Sequence, residues 1–177
     1  MRKMDIKTKE KIIEEAKRIE EDSLHSEKGH FEAATHWDRI HFWIGIFNAG
    51  LAALAGASIL SEKYPVIGGI LALMASMLTA INTFSNPNKR SVTHLNSGNY
   101  YNSLRNNVRV FYGINLNLLK DDKQIMSQIK ELNDERNKLN QNSPIIPRWA
   151  YERGKRGIER GEADHKVDLK QKEKKKN

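Results

Sequence analysis

Two uncharged apolar runs lie almost back to back: FWIGIFNAGLAALAGASIL at 42–60 and YPVIGGILALMASMLTAINTF at 64–84, separated by Ser61, Glu62 and Lys63. They are nineteen and twenty-one residues long. At about 1.5 Å of rise per residue, each helix would reach roughly 30 Å, the thickness of a bilayer's hydrocarbon core. The pattern predicts an all-α membrane protein built on a two-span transmembrane helical hairpin. The competing reading is a pair of buried helices in a large soluble core. Such helices normally keep one polar face for water. Neither run has one, and no other stretch is apolar enough to wrap them. A cleaved signal peptide is not expected, because a long charged segment precedes the first run.

The remainder of the 177 residues has room for a modest helical bundle attached to that hairpin. The absence of cysteine excludes disulfides, thiolate metal sites and thiol catalysis. The formal charge of +8 bears on partners and not on fold. Residues 148–177 carry eleven Lys/Arg against six Asp/Glu. The chain therefore reads as an N-terminal amphipathic helix at 1–41, the hairpin at 42–84, a helical segment at 85–147 and a basic tail at 148–177.

Small residues recur at every fourth position within the spans: Gly45, Ala49, Ala53 and Ala57, then Gly68, Ala72, Ser76 and Ala80. Lipid supplies no hydrophobic force between helices, so close backbone approach along such rows is the expected packing, within the chain or between copies. If the hairpin turns near Glu62, Asn48 falls at the level of Ser76 and Thr79. An amide in hydrocarbon needs a partner, and those hydroxyls are the nearest. Asn48, Thr79, Asn82 and Thr83 are thus either a polar clamp or the lining of a water-filled path. Basic residues close to the spans, Lys28 and Arg39 before and Lys89, Arg90 and Arg105 after, outnumber the lone Lys63 of the turn. Both termini should then be cytoplasmic.

The first segment has a three-four line of small or apolar positions: Ile12, Ala16, Ile19, Ser23, Ser26, His30, Ala33, Trp37 and Ile40. After the second span, Asn86 can cap a helix with Pro87 in its first turn. That helix should run to about Tyr112 and stop at Gly113, with His94, Ser97, Tyr101, Leu104, Val108 and Phe111 inward. Asp121 or Asp122 should open another, carrying Ile125, Ile129, Leu132 and Leu139. At most a surface helix is expected after Pro147. The three lines facing one another would form a cytosolic stalk in which His30 and His94 share a depth, about 15 to 18 Å from the spans. The histidines are either a hydrogen-bonded layer fixing register or a proton-sensitive or metal-binding one.

Three segments, HFEAATHWDRIHFWIGI, INTFSNPNKRSVTH with GNYYNSLR, and SPIIPRW, resemble in order and spacing the SLATT domain (SMODS and SLOG-associating two-transmembrane effector domain). The resemblance spans about 31–149. It is most specific at Thr83-Phe84, Pro87, His94, Gly98, Tyr101 and Leu104, and it departs from the family at Phe47-Asn48. It implies a bacterial anti-phage effector of the inner membrane. Such a protein would oligomerise and damage the host's own membrane when a nucleotide second messenger, or a nucleotide-sensing partner, is engaged.

On the residues alone no enzyme is expected: there is no phosphate loop after a strand and no nucleophile beside a general base. No cofactor follows either. A pore-former made of assembled hairpins leads, and a membrane anchor whose stalk recruits a soluble sensor is the alternative. The basic tail suits anionic lipid better than nucleic acid, since beyond Trp149 and Tyr151 it lacks interleaved aromatics.

Overall fold

The computed structural model describes residues 5–61, 64–119 and 121–165. Glu62 and Lys63 of the expected turn and the lysine-rich end of the tail lie outside the described residues. Every regular element among the described residues is helical. The longer ones, in order, are α1 (Ile6–Leu60), α2 (Pro65–Ser85), α3 (Pro87–Val110), α4 (Asp122–Asn142) and α5 (Arg148–Glu159). Two of them are long and apolar enough to cross a membrane.

The boundaries follow local chemistry. Pro65 opens α2, where its missing N–H costs nothing. Asn86 ends α2 in the left-handed conformation, φ 42°, which asparagine tolerates better than most residues. The same side chain accepts from the Lys89 N–H at 3.2 Å and so caps α3. Asp121 caps α4 by accepting from the Lys123 N–H, also at 3.2 Å.

The contacts divide the chain into two compact units, one of them Ala34–Thr93 and the other made of the segments on either side of it in sequence. In the first, the later part of α1 lies against α2. Asn48 Nδ2 donates to Thr79 Oγ1 at 3.0 Å. Gly68 is buried, and a Cβ there would lie 2.6 Å from Ile59 Cγ1 and 3.1 Å from the Ala55 carbonyl oxygen. Ser91 Oγ donates to the Ala34 carbonyl at 3.0 Å, and the Arg90 guanidinium stands 4.8 Å above the Trp37 ring. Partners descend along one segment as they ascend along the other.

The expected packing rows are not what brings α1 and α2 together. Of the eight small residues only Gly68 is buried; Ala49, Ala53, Ala57, Ala72, Ser76 and Ala80 are exposed, and a Cβ on Gly45 would meet nothing within 4 Å. The less exposed line is instead Ile44, Asn48, Leu51, Ala55 and Ser58 on α1, with Gly68, Leu71, Ala75, Leu78 and Asn82 on α2. The reason is geometric. Each step of four residues turns about 40° beyond a full circle, so an every-fourth row walks around the helix, whereas alternating steps of three and four stay on one side.

The second unit gathers the start of α1, α3 from His94, α4 and α5. Its core is Ile12, Ala16 and Ile19 of α1, Leu104, Val108 and Phe111 across from them, and Leu116, Ile125 and Ile129. Each large aliphatic buried there contributes about 1.5–3 kcal/mol. Gly113 does not stop the third helix. The chain passes through a π-helical turn, Phe111–Asn115, into a last α turn, Leu116–Leu118. The inward steps 104, 108 and 111 would continue to Asn115 in a regular helix. The extra residue of the π turn rephases the chain and turns Leu116 inward, 2 % exposed.

The segment after Pro147 is more than the expected surface helix. Ala150, Gly154 and Gly157 of α5 are buried. A Cβ on Gly154 would lie 2.9 Å from the Lys28 carbonyl carbon and 3.0 Å from the Gly29 nitrogen, so α5 rests directly on the α1 backbone. A face without side chains packs as closely as a greasy one, provided its partner is also bare.

Candidate functional site

The buried polar residues of the second unit converge on α1 and α3. Ser23, Glu27 and His30 lie on one, His94 and Ser97 on the other. His30, 1 % exposed, and His94, 5 % exposed, bring their Nδ1 atoms to 2.9 Å. Two ring nitrogens at that distance share a single proton, one donating and the other accepting. Burial pushes the His30 imidazole down to about 4, and the charge of His94 acts in the same direction. Tyr101 stacks on His30 with ring centroids 5.5 Å apart, and its hydroxyl donates to Asn140 Oδ1 at 2.7 Å. Burial raises the Tyr101 phenol, while hydrogen bonds with Ser143 and Ser26 lower it. Leu104 is fully buried one turn further along α3. Trp37, read from sequence as part of the same line, belongs to the other unit, under Arg90.

Close by in sequence is a pair that the sequence reading passed over. Arg105 Nη1 stands 3.0 Å from Glu27 Oε2, and the two side chains are only 12 % and 7 % exposed. Burial raises the Glu27 carboxyl, and the charges of Arg105 and then Lys28 pull it back. The contact is one of charge more than of aligned hydrogen bonds, since Glu27 Oε2 and Arg105 Nε lack a hydrogen-bond partner among the described residues. The available signal was spacing: Glu27 falls four after Ser23 and three before His30, on the inward line. Among the described residues no group of three or more His, Asp or Glu is placed to hold a metal ion.

In the unit Ala34–Thr93 the polar side chains are mostly satisfied along the helix itself. Thr79 Oγ1 donates to the Ala75 carbonyl at 2.9 Å, Thr83 Oγ1 to the Thr79 carbonyl at 2.9 Å, and Ser76 Oγ to the Ala72 carbonyl at 3.0 Å. Thr79 therefore receives from Asn48 while giving to its own backbone. Asn48 and Thr79 are brought together, Asn82 is half-buried and Thr83 is exposed. Asn48 Oδ1 and Asn82 Oδ1 are enclosed with no hydrogen-bond partner among the described residues. An enclosed amide oxygen without a donor is costly, and water or another chain would supply one.

No protein-family model matches this chain, and no curated protein or solved structure matches it.

Proposed function

We propose that the chain is a membrane-embedded effector of a bacterial anti-phage system, resembling SLATT proteins. In this reading it sits in the inner membrane as a two-span hairpin with both termini cytoplasmic. Copies assemble and permeabilise the bilayer when a nucleotide signal, or a partner that senses one, engages the helical unit. One observation carries the embedding: only 6 % of each apolar window is buried within the chain. The core helices of a water-soluble protein would be mostly covered. Here Phe42, Phe47, Leu54, Leu73, Met77 and Phe84 are all more than half exposed, a surface that lipid accepts and water does not.

Assembly is supported by the outward rows. Gly45, Ala49, Ala53 and Ala57 on α1, with Ala72, Ser76 and Ala80 on α2, are left free by the intrachain contact and suit close approach of a second copy. The spans carry no ring of charge, so a path lined by Asn48, Thr79 and Asn82 would discriminate poorly among ions. Induction of the chain in cells carrying its trigger should collapse the membrane potential and release a small entrapped dye. Oligomers in an intact, polarised membrane after triggering would defeat the reading.

A second reading, a membrane anchor that recruits a soluble nucleotide-sensing protein without making a hole, is favoured by one observation. Asn48, Ser76, Thr79 and Thr83 all donate within the chain, as a plain packing clamp would. The double substitution Asn48→Leu with Thr79→Leu separates the two. It should abolish leakage if those residues line a path, and leave activity intact if they only clamp.

A further inference from the structure

We infer that the end of α5 holds an anion site that accepts a phosphate group. Arg153, Arg156 and Arg160 recur at steps of three and four and so share one helix face. With Glu32, Gly157 and Glu162 they line an open cavity of about 460 Å³, within the range of roughly 300–1,000 Å³ usual for small-ligand sites. Three like charges on one face repel unless something neutralises them. Only the first is answered: Arg153 Nε lies 2.9 Å from Glu32 Oε2. Among the described residues, no hydrogen bond or ion pair engages the side chain of Arg156 or Arg160. Two unengaged guanidinium forks beside a third that is held in place match the oxygens of a phosphate, which arginine binds in pairs of parallel hydrogen bonds.

The chain's turn at the end of α5 supplies the rest of the lining, Gly157 and Glu162. Gly161 adopts φ 80° and closes α5 with two reversed bonds, its own N–H to the Ile158 carbonyl at 2.9 Å and the Glu162 N–H to the Gly157 carbonyl at 3.1 Å. This turn brings Glu162 back over Gly157, where a Cβ would lie 2.5 Å from Glu162 Oε2. The Glu162 carboxylate limits affinity by repelling an anion from the same cavity, and this gives the site a signature that misfolding cannot imitate.

The phosphate can belong to a lipid headgroup or to a free phosphorylated molecule, and the test separates the two. The full chain in neutral detergent is titrated with inorganic pyrophosphate, with binding read by calorimetry. One saturable event is expected. Arg156→Gln with Arg160→Gln should weaken it at least about ten-fold, the loss of one charge-assisted hydrogen bond or more. Glu162→Gln should tighten it. Lys155→Gln, on α5 but outside the cavity and 3.9 Å from Glu159, should leave it unchanged. In phosphatidylglycerol nanodiscs, loss of pyrophosphate binding that phosphatidylcholine nanodiscs preserve assigns the site to a headgroup; equal binding in both assigns it to free phosphate. The inference falls if no saturable binding occurs in detergent, if Lys155→Gln weakens binding as much as the arginine pair does, or if Glu162→Gln fails to tighten it. No leakage is measured, so this result and the permeabilisation result stand or fall separately.

Discussion

The His30–His94 contact makes the helical unit sensitive to acid. The His30 imidazole falls from its ordinary 6.5 to about 4 in the folded chain, so the fold favours the neutral ring. Its contribution is fully present above pH 6.5 and is lost as the pH falls from there through 4. Glu27 works in the opposite sense: its carboxyl is raised by burial, so acid relieves a penalty there. The two are separated by substitution. The melting temperature of the full chain in detergent should drop between pH 7 and pH 4, and His30→Asn should flatten that drop; an unchanged slope would show that the histidine pair does not set it. The common depth of His30 and His94 was readable from helical rise alone, because both lie on three-four lines. The Glu27–Arg105 pair was not, since a charge on such a line reads as a gap in it. What buries the charge is a partner on another helix, and no local pattern records it.

At the scale of elements, the bare crossings are the places where one methyl group matters. Gly154→Ala would put a carbon 2.9 Å from the Lys28 backbone, and neither helix can give way there. A loss of about 1–3 kcal/mol is expected from such overpacking. Gly45→Ala meets nothing within 4 Å and should be neutral, or stabilising by up to about 1 kcal/mol through helix propensity. Denaturant titration of the two variants side by side checks the contrast. The π turn makes a different forecast. Deleting Gly113 converts Phe111–Asn115 to a regular α-helical path while Leu116 keeps its inward place, so circular dichroism should show an intact fold with no loss of melting temperature. Helix positions, caps and the core lines of α1, α3 and α4 were legible because proline, asparagine, aspartate and periodic apolar residues mark them. The face joining α1 to α2 was not: both runs are oily all round, so composition singles out no side. The packing of α5 went unread because Ala150, Gly154 and Gly157 sit among charges and offer no large apolar residue to notice.

Across the whole molecule, the outward small-residue rows carry the expectation of assembly. Ala53→Leu with Ala72→Leu adds bulk to that surface without touching the less exposed line through Asn48, Ala55, Gly68 and Leu78. Cross-linking in membranes should show fewer oligomers and dye release should fall together, whereas the intrachain fold, read by melting temperature, should hold. The division into units has a further consequence, for biogenesis. Ile12, Ala16 and Ile19 pack with Leu104, Val108 and Phe111, and the entire stretch Ala34–Thr93 is translated between them. The first hydrophobic partners to leave the ribosome must therefore wait, unpaired, until both greasy segments have been made. A chain cut after Thr93 would keep every residue of the unit Ala34–Thr93 and leave Ile12, Ala16 and Ile19 with no core to join.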